Sequence, residues 1–320
     1  MSATGSDDSG TTRVRPEAIR AVPVRHPGRW ISAAIIALVA GQIGHWFFTN
    51  QLLGFAIARR HLFDRVVLLG VWATIQLTLI AMVMGVAIGL VLAVMRLSKN
   101  PVVSGAAWFY IWFFRGTPVL VQLLFWFNLP GIVHAITVGI PFGPGWLVTN
   151  HPAQLVTAFI AASLGLGLNE GAYMAEIARA GILSVDDGQV EAASALGMAP
   201  LQIMRRVVLP QAMKVIIPPT GNETISMLKT TSLAYTITLL ELLGAVSRIS
   251  DRTYETVPLL LTASMWYLFM TTILSIGQYY LERRYARGSA RDLPLTPRQR
   301  ALRFLATRQA ARARSRAGVR

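Results

Sequence analysis

Long runs of apolar residues alternate with short polar or basic stretches along most of this chain. The first two runs cover residues 30–48 and 66–95, and the second contains no charged side chain. The later runs cover 117–138, 152–177, 213–228 with a continuation through 243, and 257–281. An α-helix needs about 20 mainly apolar residues to cross the hydrocarbon core of a bilayer. The pattern therefore predicts an all-α, polytopic membrane bundle with six spans.

Proline and glycine interrupt this pattern at two places. Residues 141–145 contain two prolines and two glycines, which predict a loop between the third and fourth spans. Pro218, Pro219 and Gly221 lie inside the fifth span, ahead of Glu223 and Lys229. This composition is typical of a discontinuous helix whose freed backbone groups line a cavity. A continuous, proline-kinked helix packed in the core is the alternative.

Positively charged residues indicate the orientation, because they are retained on the cytoplasmic side of a membrane. Arginines within 13–29, at 205–206 and throughout the tail 283–320 predict cytoplasmic termini, while 139–151 contains no lysine or arginine. Three arginines within 59–65 fall in a loop that this topology places outside. The first span is therefore the weakest part of the topology.

The first apolar segment also has an alternative interpretation as a cleaved signal peptide. Ala56-Ile57-Ala58 resembles a small-residue cleavage site that follows an apolar region. Its removal leaves the later five spans intact.

The composition agrees with a membrane protein, since 53% of residues are hydrophobic, only 14% are charged and the mean hydropathy is +0.49. The net charge of +15 lies largely at the two ends of the chain. No docking motif for nucleic acid accompanies it, so membrane lipid is the expected anionic partner. The alternative is a solvated tail whose charge only enforces the topology. The chain contains no cysteine, which excludes disulfides and thiolate chemistry.

A polar segment between two apolar spans contains the most informative motif. It predicts a helix over 191–196, a pivot at Gly197 and a second helix after Pro200, a compact unit suited to receiving force from a partner. The second helix is predicted to be amphipathic, with one apolar side. The residues of that side are Leu201, Met204, Val207 and Val208.

Several further motifs occur in order along the chain. They are Phe114-Arg115-Gly116-Thr117-Pro118, residues 169–177, 188–189, 221–223 and 229–233. Together with the segment 191–210, they resemble the polar amino-acid permeases of bacterial ABC importers, of the histidine, glutamine and arginine type. The resemblance covers about residues 66–284 and implies a type I importer fold with a five-span core, here preceded by one extra span.

The resemblance also implies the partners. A separate ATPase is expected to bind ATP and Mg and to grip the segment 191–210, while an extracytoplasmic binding protein delivers the amino acid. A second permease copy or a paralogue is expected to complete the path. The residues expected to couple to the ATPase are Glu191, Ala192, Ala193, Gly197, Leu209 and Pro210.

The chain lacks the motifs of a catalyst. It has no phosphate-binding Gly-x-x-x-x-Gly-Lys loop, no His-Glu-x-x-His and no Gly-x-Ser-x-Gly. We therefore expect no enzyme activity, no cofactor and no metal in this chain.

Ionisable residues within spans are functional candidates, since each costs about 2.5–3.5 kcal/mol on insertion scales. Glu170 and Tyr173 are three residues apart and share a helix face, where both can meet the ammonium of an amino acid. The alternative is that Glu170 bonds within a subunit interface. Glu176 and Arg179 have the same spacing and are expected to form a structural ion pair. The candidates for the substrate path are Asn169, Glu170, Tyr173, Glu223 and Lys229.

These observations predict a modular chain. It consists of a basic cytoplasmic segment 1–29, an extra span 30–48, a linker 49–65, a permease domain 66–284 with its coupling loop 181–212, and a basic tail 285–320. The expected function is ATP-driven import of polar amino acids across the bacterial cytoplasmic membrane by alternating access. The alternative is a secondary transporter or channel driven by an ion gradient, with Glu170 and Glu223 as ion sites.

Overall fold

The structure, a computed structural model, describes residues 27–132, 136–139, 146–150 and 156–285, together with residue 303. The predicted basic segments at the two ends lie almost wholly outside the described residues, and so do residues 141–145. The chain divides into two units after Gln51. The described part of the first unit is a single long helix, α1, Pro27–Thr49, whose side chains are mostly exposed.

The second unit is mainly helical, as the apolar pattern predicts. Its α-helices are α2 Phe55–His61, α3 Arg65–Arg96, α4 Pro101–Gly116, α5 Val119–Ile132, α6 Ala158–Leu183, α7 Asp187–Ala195, α8 Pro200–Ile203, α9 Leu209–Thr230, α10 Leu242–Thr253 and α11 Thr256–Tyr285. A π-helix, Met204–Val208, joins α8 to α9, and a 3₁₀ helix, Thr231–Ile237, follows α9.

The region after α5 differs from the prediction. The third span was expected to continue to residue 138, but α5 ends at Ile132 and an antiparallel hairpin follows. Its strands are β1, Ile136–Gly139, and β2, Trp146–Asn150, with Ile136 opposite Asn150. The hairpin escaped prediction because its first strand continues an apolar run, which by itself does not distinguish helix from strand.

Among the described residues, α1, α3 and α11 are each long and apolar enough to cross a membrane. The count of spans rises to five if each of two bent pairs is one span: α4 with α5, bent by 102°, and the segment from Pro200 to Ile237 with α10, bent by 45°. Helix α6 has 26 residues but carries Glu170, Glu176 and Arg179, and it is not among these candidates. The sixth span therefore remains a prediction.

Helices α3 and α6 form the most extensive helix pair, and glycine permits their close approach. A Cβ at Gly85 would overlap the side chain of Glu170, and one at Gly89 would overlap Met174. These two glycines are four residues apart on one face of α3, the spacing that favours tight helix contact in membranes. Apolar side chains from α3, α5 and α6 continue the same core.

Glu241 holds three helices together at the start of α10. Its carboxylate accepts hydrogen bonds from the backbone N–H groups of Leu243 (3.0 Å) and Gly244 (2.8 Å), and so caps the helix. Tyr267 on α11 donates its hydroxyl to the same carboxylate at 2.9 Å, and Thr74 on α3 donates at 3.4 Å. This side chain is fully buried, so its bonds tie α3, α10 and α11 to one point.

Helix α9 is continuous through Pro218 and Pro219, so the interruption predicted there does not occur. Gln278 on α11 donates to the backbone carbonyl of Pro218 at 3.2 Å and to Asn222 Oδ1 at 2.9 Å. These two bonds fasten the middle of α9 to α11. The α-helix instead ends at Thr230, where the 3₁₀ helix begins.

Candidate functional site

A sharp bend between α4 and α5 forms one wall of the site. Thr117 has extended backbone angles (φ −107°, ψ 139°), as expected for a residue that precedes proline, and it ends α4. The carbonyl of Phe114 accepts hydrogen bonds from Gln122 Nε2 at 3.0 Å and from Asn169 Nδ2 at 2.8 Å. The bend is therefore fixed both within its own segment and by α6.

A polar cavity of about 620 Å³ lies between this bend, α6 and α9. We call it the central cavity. The bend contributes residues 115–119 to its lining, and α6 contributes Leu166, Asn169, Glu170 and Tyr173. From α9 come Glu223, Ser226, Met227 and Thr230. Four of the five predicted path residues therefore meet in one cavity.

Glu170 is the most unusual group in the central cavity. The residue is only 3% exposed, and its Oε1 atom has no hydrogen-bond partner among the described residues. Burying an ionisable group without a partner is costly, which makes this oxygen a ready acceptor for a cationic ligand. Gly85 provides the space behind the side chain.

The remaining charges of the cavity belong to Glu223 and Arg115. Glu223 is half-buried and lines the cavity from α9. Arg115 lines the cavity, and its Cζ lies 5.2 Å from the centroid of the Tyr173 ring. That distance is within the range of a cation–π interaction. The cavity thus contains two carboxylates and one guanidinium.

Asn169 and Lys229, which were predicted to contact the substrate, have different surroundings from those expected. Asn169 lines the cavity, but its amide is engaged with the Phe114 carbonyl, so the side chain positions the bend. Lys229 is exposed and does not line the cavity, whereas its neighbour Thr230 does. The last turn of α9 explains the difference, because successive helix residues point about 100° apart.

Glu176 and Arg179 are joined in α6, one turn beyond Tyr173. Arg179 donates to Glu176 Oε2 at 2.7 Å, in the pairing that the spacing predicts. Both side chains are about one-quarter to one-third exposed, so the pair contributes modestly to stability.

The segment 187–210, which we call the EAA segment, projects beyond the end of α6. Asp186 caps α7 by accepting from the N–H of Gly188 at 2.9 Å, and Gly197 then has a positive φ of 74°. Glu191, Ala192 and Gly197 are exposed, as are Leu209 and Pro210, whereas Ala193 is buried. A helix, a glycine turn and a second short helix thus follow in the order that the sequence predicts.

The apolar side predicted for the second helix is only partly correct. Ile203 and Val208 are buried against Ala193 and Ala212, but Leu201 is 78% and Met204 39% exposed. The π-helix that begins at Met204 changes the angular spacing of the side chains, so a period of 3.6 residues assigns the wrong face.

Sequence reasoning overlooked Ser226, Met227 and Thr230 in the cavity and Glu241 in the core. The first three are ordinary helix residues whose role depends on which face of α9 meets the cavity. Glu241 stands between an apolar stretch and a helix start, where an acidic residue is also common as a simple cap. No cluster of metal-binding side chains occurs within the described part of the chain.

Comparison with known proteins identifies the class to which this fold and cavity belong. Residues 85–287 match the family described as binding-protein-dependent transport system inner membrane component. The match covers more than half of the chain, and the chain belongs to this family. The resemblance inferred from the motifs is thereby confirmed.

Individual relatives are amino-acid permeases. An arginine transport system permease protein of Corynebacterium glutamicum is 49% identical over 290 residues, which are 89% of this chain and 88% of that protein. An L-cystine transport system permease protein of Bacillus subtilis is 36% identical over 223 residues, or 69% and 87% of the two chains. The crystal structure of an amino acid ABC transporter with histidines superposes with a TM-score of 0.58 and 37% identity, covering 68% of this chain and 94% of that one.

The chain is therefore a multi-pass, inner-membrane permease subunit of a bacterial binding-protein-dependent ABC importer for amino acids. It is the non-catalytic transmembrane component, and ATP is handled by a partner ATPase. A system of this type also includes a binding protein that supplies the substrate.

Proposed function

We propose that this permease imports basic amino acids and that L-arginine is its substrate. The unpaired Oε1 of buried Glu170 is the observation that carries the proposal, because this residue lines a cavity that Glu223 also lines. Two carboxylates around one cavity favour a ligand that brings positive charge. The similarity to an arginine permease at 49% identity supports the same substrate class.

The residues that line the central cavity complement the carboxylate, the cationic groups and the aliphatic stem of arginine. Arg115 is available for the α-carboxylate, since guanidinium and carboxylate form bidentate hydrogen bonds. Glu170 and Glu223 would receive the guanidinium and ammonium groups of the substrate, and the aliphatic stem would lie against Leu166 and Met227. A volume of about 620 Å³ is ample for one amino acid with several waters.

We further propose that the EAA segment couples this subunit to its ATPase. Glu191, Ala192, Ala193, Gly197, Leu209 and Pro210 are the coupling residues of this proposal, and Leu196 and Leu201 are strongly exposed beside them, at 82% and 78%. Exposed leucines on a protruding helical unit favour insertion into a cleft of a partner. ATP-driven closure of the ATPase pair would then be transmitted to α6 and α9, which flank the segment.

The assembly proposed here contains two permease subunits, either two copies of this chain or this chain with a paralogue. They enclose a path that opens alternately to the two sides of the membrane. Membrane lipid is the proposed partner of the extra helix α1, the linker and the basic end segments.

The substrate proposal is tested by uptake into proteoliposomes that contain the permease with its ATPase, supplied with the binding protein. We expect ATP-dependent uptake of labelled L-arginine to exceed that of glutamate and leucine at least tenfold. A preference for acidic or neutral amino acids would contradict the proposed substrate. Uptake that follows an imposed ion gradient without ATP would contradict the coupling.

Gly197→Asp tests the EAA segment. Apart from its chain neighbours, no atom of the described residues lies within 4 Å of the position that a Cβ at Gly197 would occupy, so the change adds charge and backbone strain without a clash there. We expect normal membrane insertion but loss of ATP-dependent uptake. Gly197→Ala is the matched control, which adds the strain of about 1 kcal/mol without charge and should retain part of the activity. Normal uptake by Gly197→Asp would refute the coupling role.

A further inference from the structure

Three side chains follow one another along α6 toward the EAA segment. Glu170, Tyr173 and Glu176 are separated by three residues each, about 4.5 Å of helix rise per step. Glu170 lines the central cavity, while Glu176 lines a second cavity of about 470 Å³. Tyr173 lines both. One face of α6 therefore leads from the first cavity to the second.

The second cavity has the chemistry of an amino-acid site. Arg96 and Arg115 supply positive charge, and Glu176 supplies negative charge. Trp108 and Trp112 are stacked at its edge, with ring centroids 6.1 Å apart and planes inclined by 13°. Guanidinium groups bind carboxylates, while indole faces and a carboxylate attract cations. A zwitterion with a basic side chain meets a complementary group at each of its charges.

Arg96 in particular is not fully used by the protein. One terminal nitrogen donates to Ser104 Oγ at 3.1 Å, but the buried Nε has no partner among the described residues. Among the described residues, Glu176 is bonded to Arg179 through Oε2. The other oxygen of Glu176, and the terminal nitrogen of Arg96 that makes no hydrogen bond to a described residue, retain hydrogen-bonding capacity for a ligand.

The two cavities meet at Arg115 and Tyr173. The guanidinium lies over the tyrosine ring, with 5.2 Å between Cζ and the ring centroid, and both side chains line both cavities. A basic substrate carries a cation that competes with Arg115 for the same ring. Opening of this stack would join the two cavities, which share Arg115, Gly116 and Tyr173 in their linings.

We propose that the second cavity is a further binding station for the transported amino acid, and that the Arg115–Tyr173 stack is the partition between the two stations. The inference rests on the proposed function, which assigns a basic amino acid to the central cavity. It adds a second, separate site on the side of the EAA segment, from which the substrate is released.

The chain contains no cysteine, so single-cysteine variants of the complete transporter report each station separately. Ser226→Cys reports on the central cavity and Trp112→Cys on the second. Inside-out membrane vesicles are exposed to a charged, membrane-impermeant thiol reagent with and without L-arginine. We expect both cysteines to react, and 10 mM L-arginine to slow each reaction at least threefold.

The role of the Arg115–Tyr173 stack as a partition is tested by measuring labelling rates in the same vesicles. Tyr173→Ala should raise the labelling rate of Ser226→Cys about tenfold and leave that of Trp112→Cys unchanged. Tyr173→Phe keeps the ring and should preserve the slow rate. Arg115→Gln provides a second way to open the stack if Tyr173→Ala fails to assemble.

The outcomes separate this inference from the proposed substrate. Protection by L-arginine at Ser226→Cys but not at Trp112→Cys would overturn the second station alone. Protection at neither cysteine would overturn the arginine assignment and the station together. A Trp112→Cys variant that does not react would show that the second cavity is closed to water and would overturn the second station. Unchanged Ser226→Cys rates in all stack variants would overturn the partition.

Discussion

Two buried carboxylates in the same helical unit have opposite surroundings. Glu241 is 0% exposed and accepts hydrogen bonds from two backbone N–H groups and two hydroxyls. Glu170 is 3% exposed, and one of its oxygens has no partner among the described residues. Burial of a charge is tolerated when every lone pair is satisfied, and it is costly when one is not.

The comparison indicates that burial alone does not mark a functional acid in a membrane protein. Glu241 stabilises the junction of α3, α10 and α11, whereas Glu170 leaves hydrogen-bonding capacity unused beside a cavity. Changes to the two side chains should therefore affect different properties of the protein. Loss of Glu241 should affect folding, and loss of the charge on Glu170 should affect transport.

The largest expected effect on stability comes from Glu241→Ala. The change leaves Thr74, Tyr267 and the N–H groups of Leu243 and Gly244 without their acceptor, which we expect to cost about 3 kcal/mol or more. Thermal unfolding of the detergent-solubilised protein measures the loss.

Glu255→Ala is the matched control for Glu241→Ala. Its carboxylate makes no hydrogen bond or ion pair within the part of the chain that the structure describes. We expect a change below about 0.5 kcal/mol for it. Equal unfolding temperatures for the two variants would remove the structural role assigned to Glu241.

An intermediate effect on stability is expected for Gly85→Ala, and this variant should affect both folding and transport. The added methyl would overlap the side chain of Glu170, so α3 must move or Glu170 must turn. We expect destabilisation of about 1–3 kcal/mol and weaker arginine transport. Thermal unfolding and the KM for uptake are measured together.

Gly105→Ala provides the control for Gly85→Ala. Outside its own helical turn, no atom of the part of the chain that the structure describes lies within 4 Å of the position that its Cβ would occupy. Alanine is favoured over glycine inside a helix by about 0.5–1 kcal/mol. This variant should be neutral or slightly stabilised. If the two alanine variants behaved alike, the close contact at Gly85 would not be what positions Glu170.

The smallest effect on stability is expected for Glu170→Gln. The amide keeps the size of the side chain and removes an incompletely paired charge, so the free energy of unfolding should change by less than about 1 kcal/mol. Arginine uptake should nevertheless show a KM raised at least tenfold, which corresponds to about 1.4 kcal/mol of lost binding.

Glu255→Gln removes a carboxylate outside both cavities and should leave the KM unchanged. An unfolding temperature that drops sharply for Glu170→Gln, with an unchanged KM in the surviving protein, would reverse the comparison. Glu170 would then be the structural carboxylate.

The helices and motifs of the core were accessible from sequence because apolar runs and helix caps act locally. The boundaries of α3 and α11 agree with the predicted spans to within a few residues. The order of α7, Gly197 and α8 also follows the prediction, since glycine and proline fix local backbone angles.

The bend at Thr117 and Pro118, the hairpin and the π-helix were not accessible in this way. Each departs from a regular period, and the apolar pattern reports only that period. The continuity of α9 through Pro218 and Pro219 was likewise left open by the sequence, because a proline inside a helix can either kink the helix or end it.

The sequence by itself determined that this protein is a helical membrane permease, and it identified the acidic face of α6 and the EAA segment. Only the tertiary structure decided which charged residues share a cavity, because that depends on the rotation of α9 and on the α4–α5 bend. It brought Arg115 over Tyr173 and left Lys229 outside. It also distinguished Glu170 from Glu241, since hydrogen-bond satisfaction is a property of neighbours that are distant in the chain.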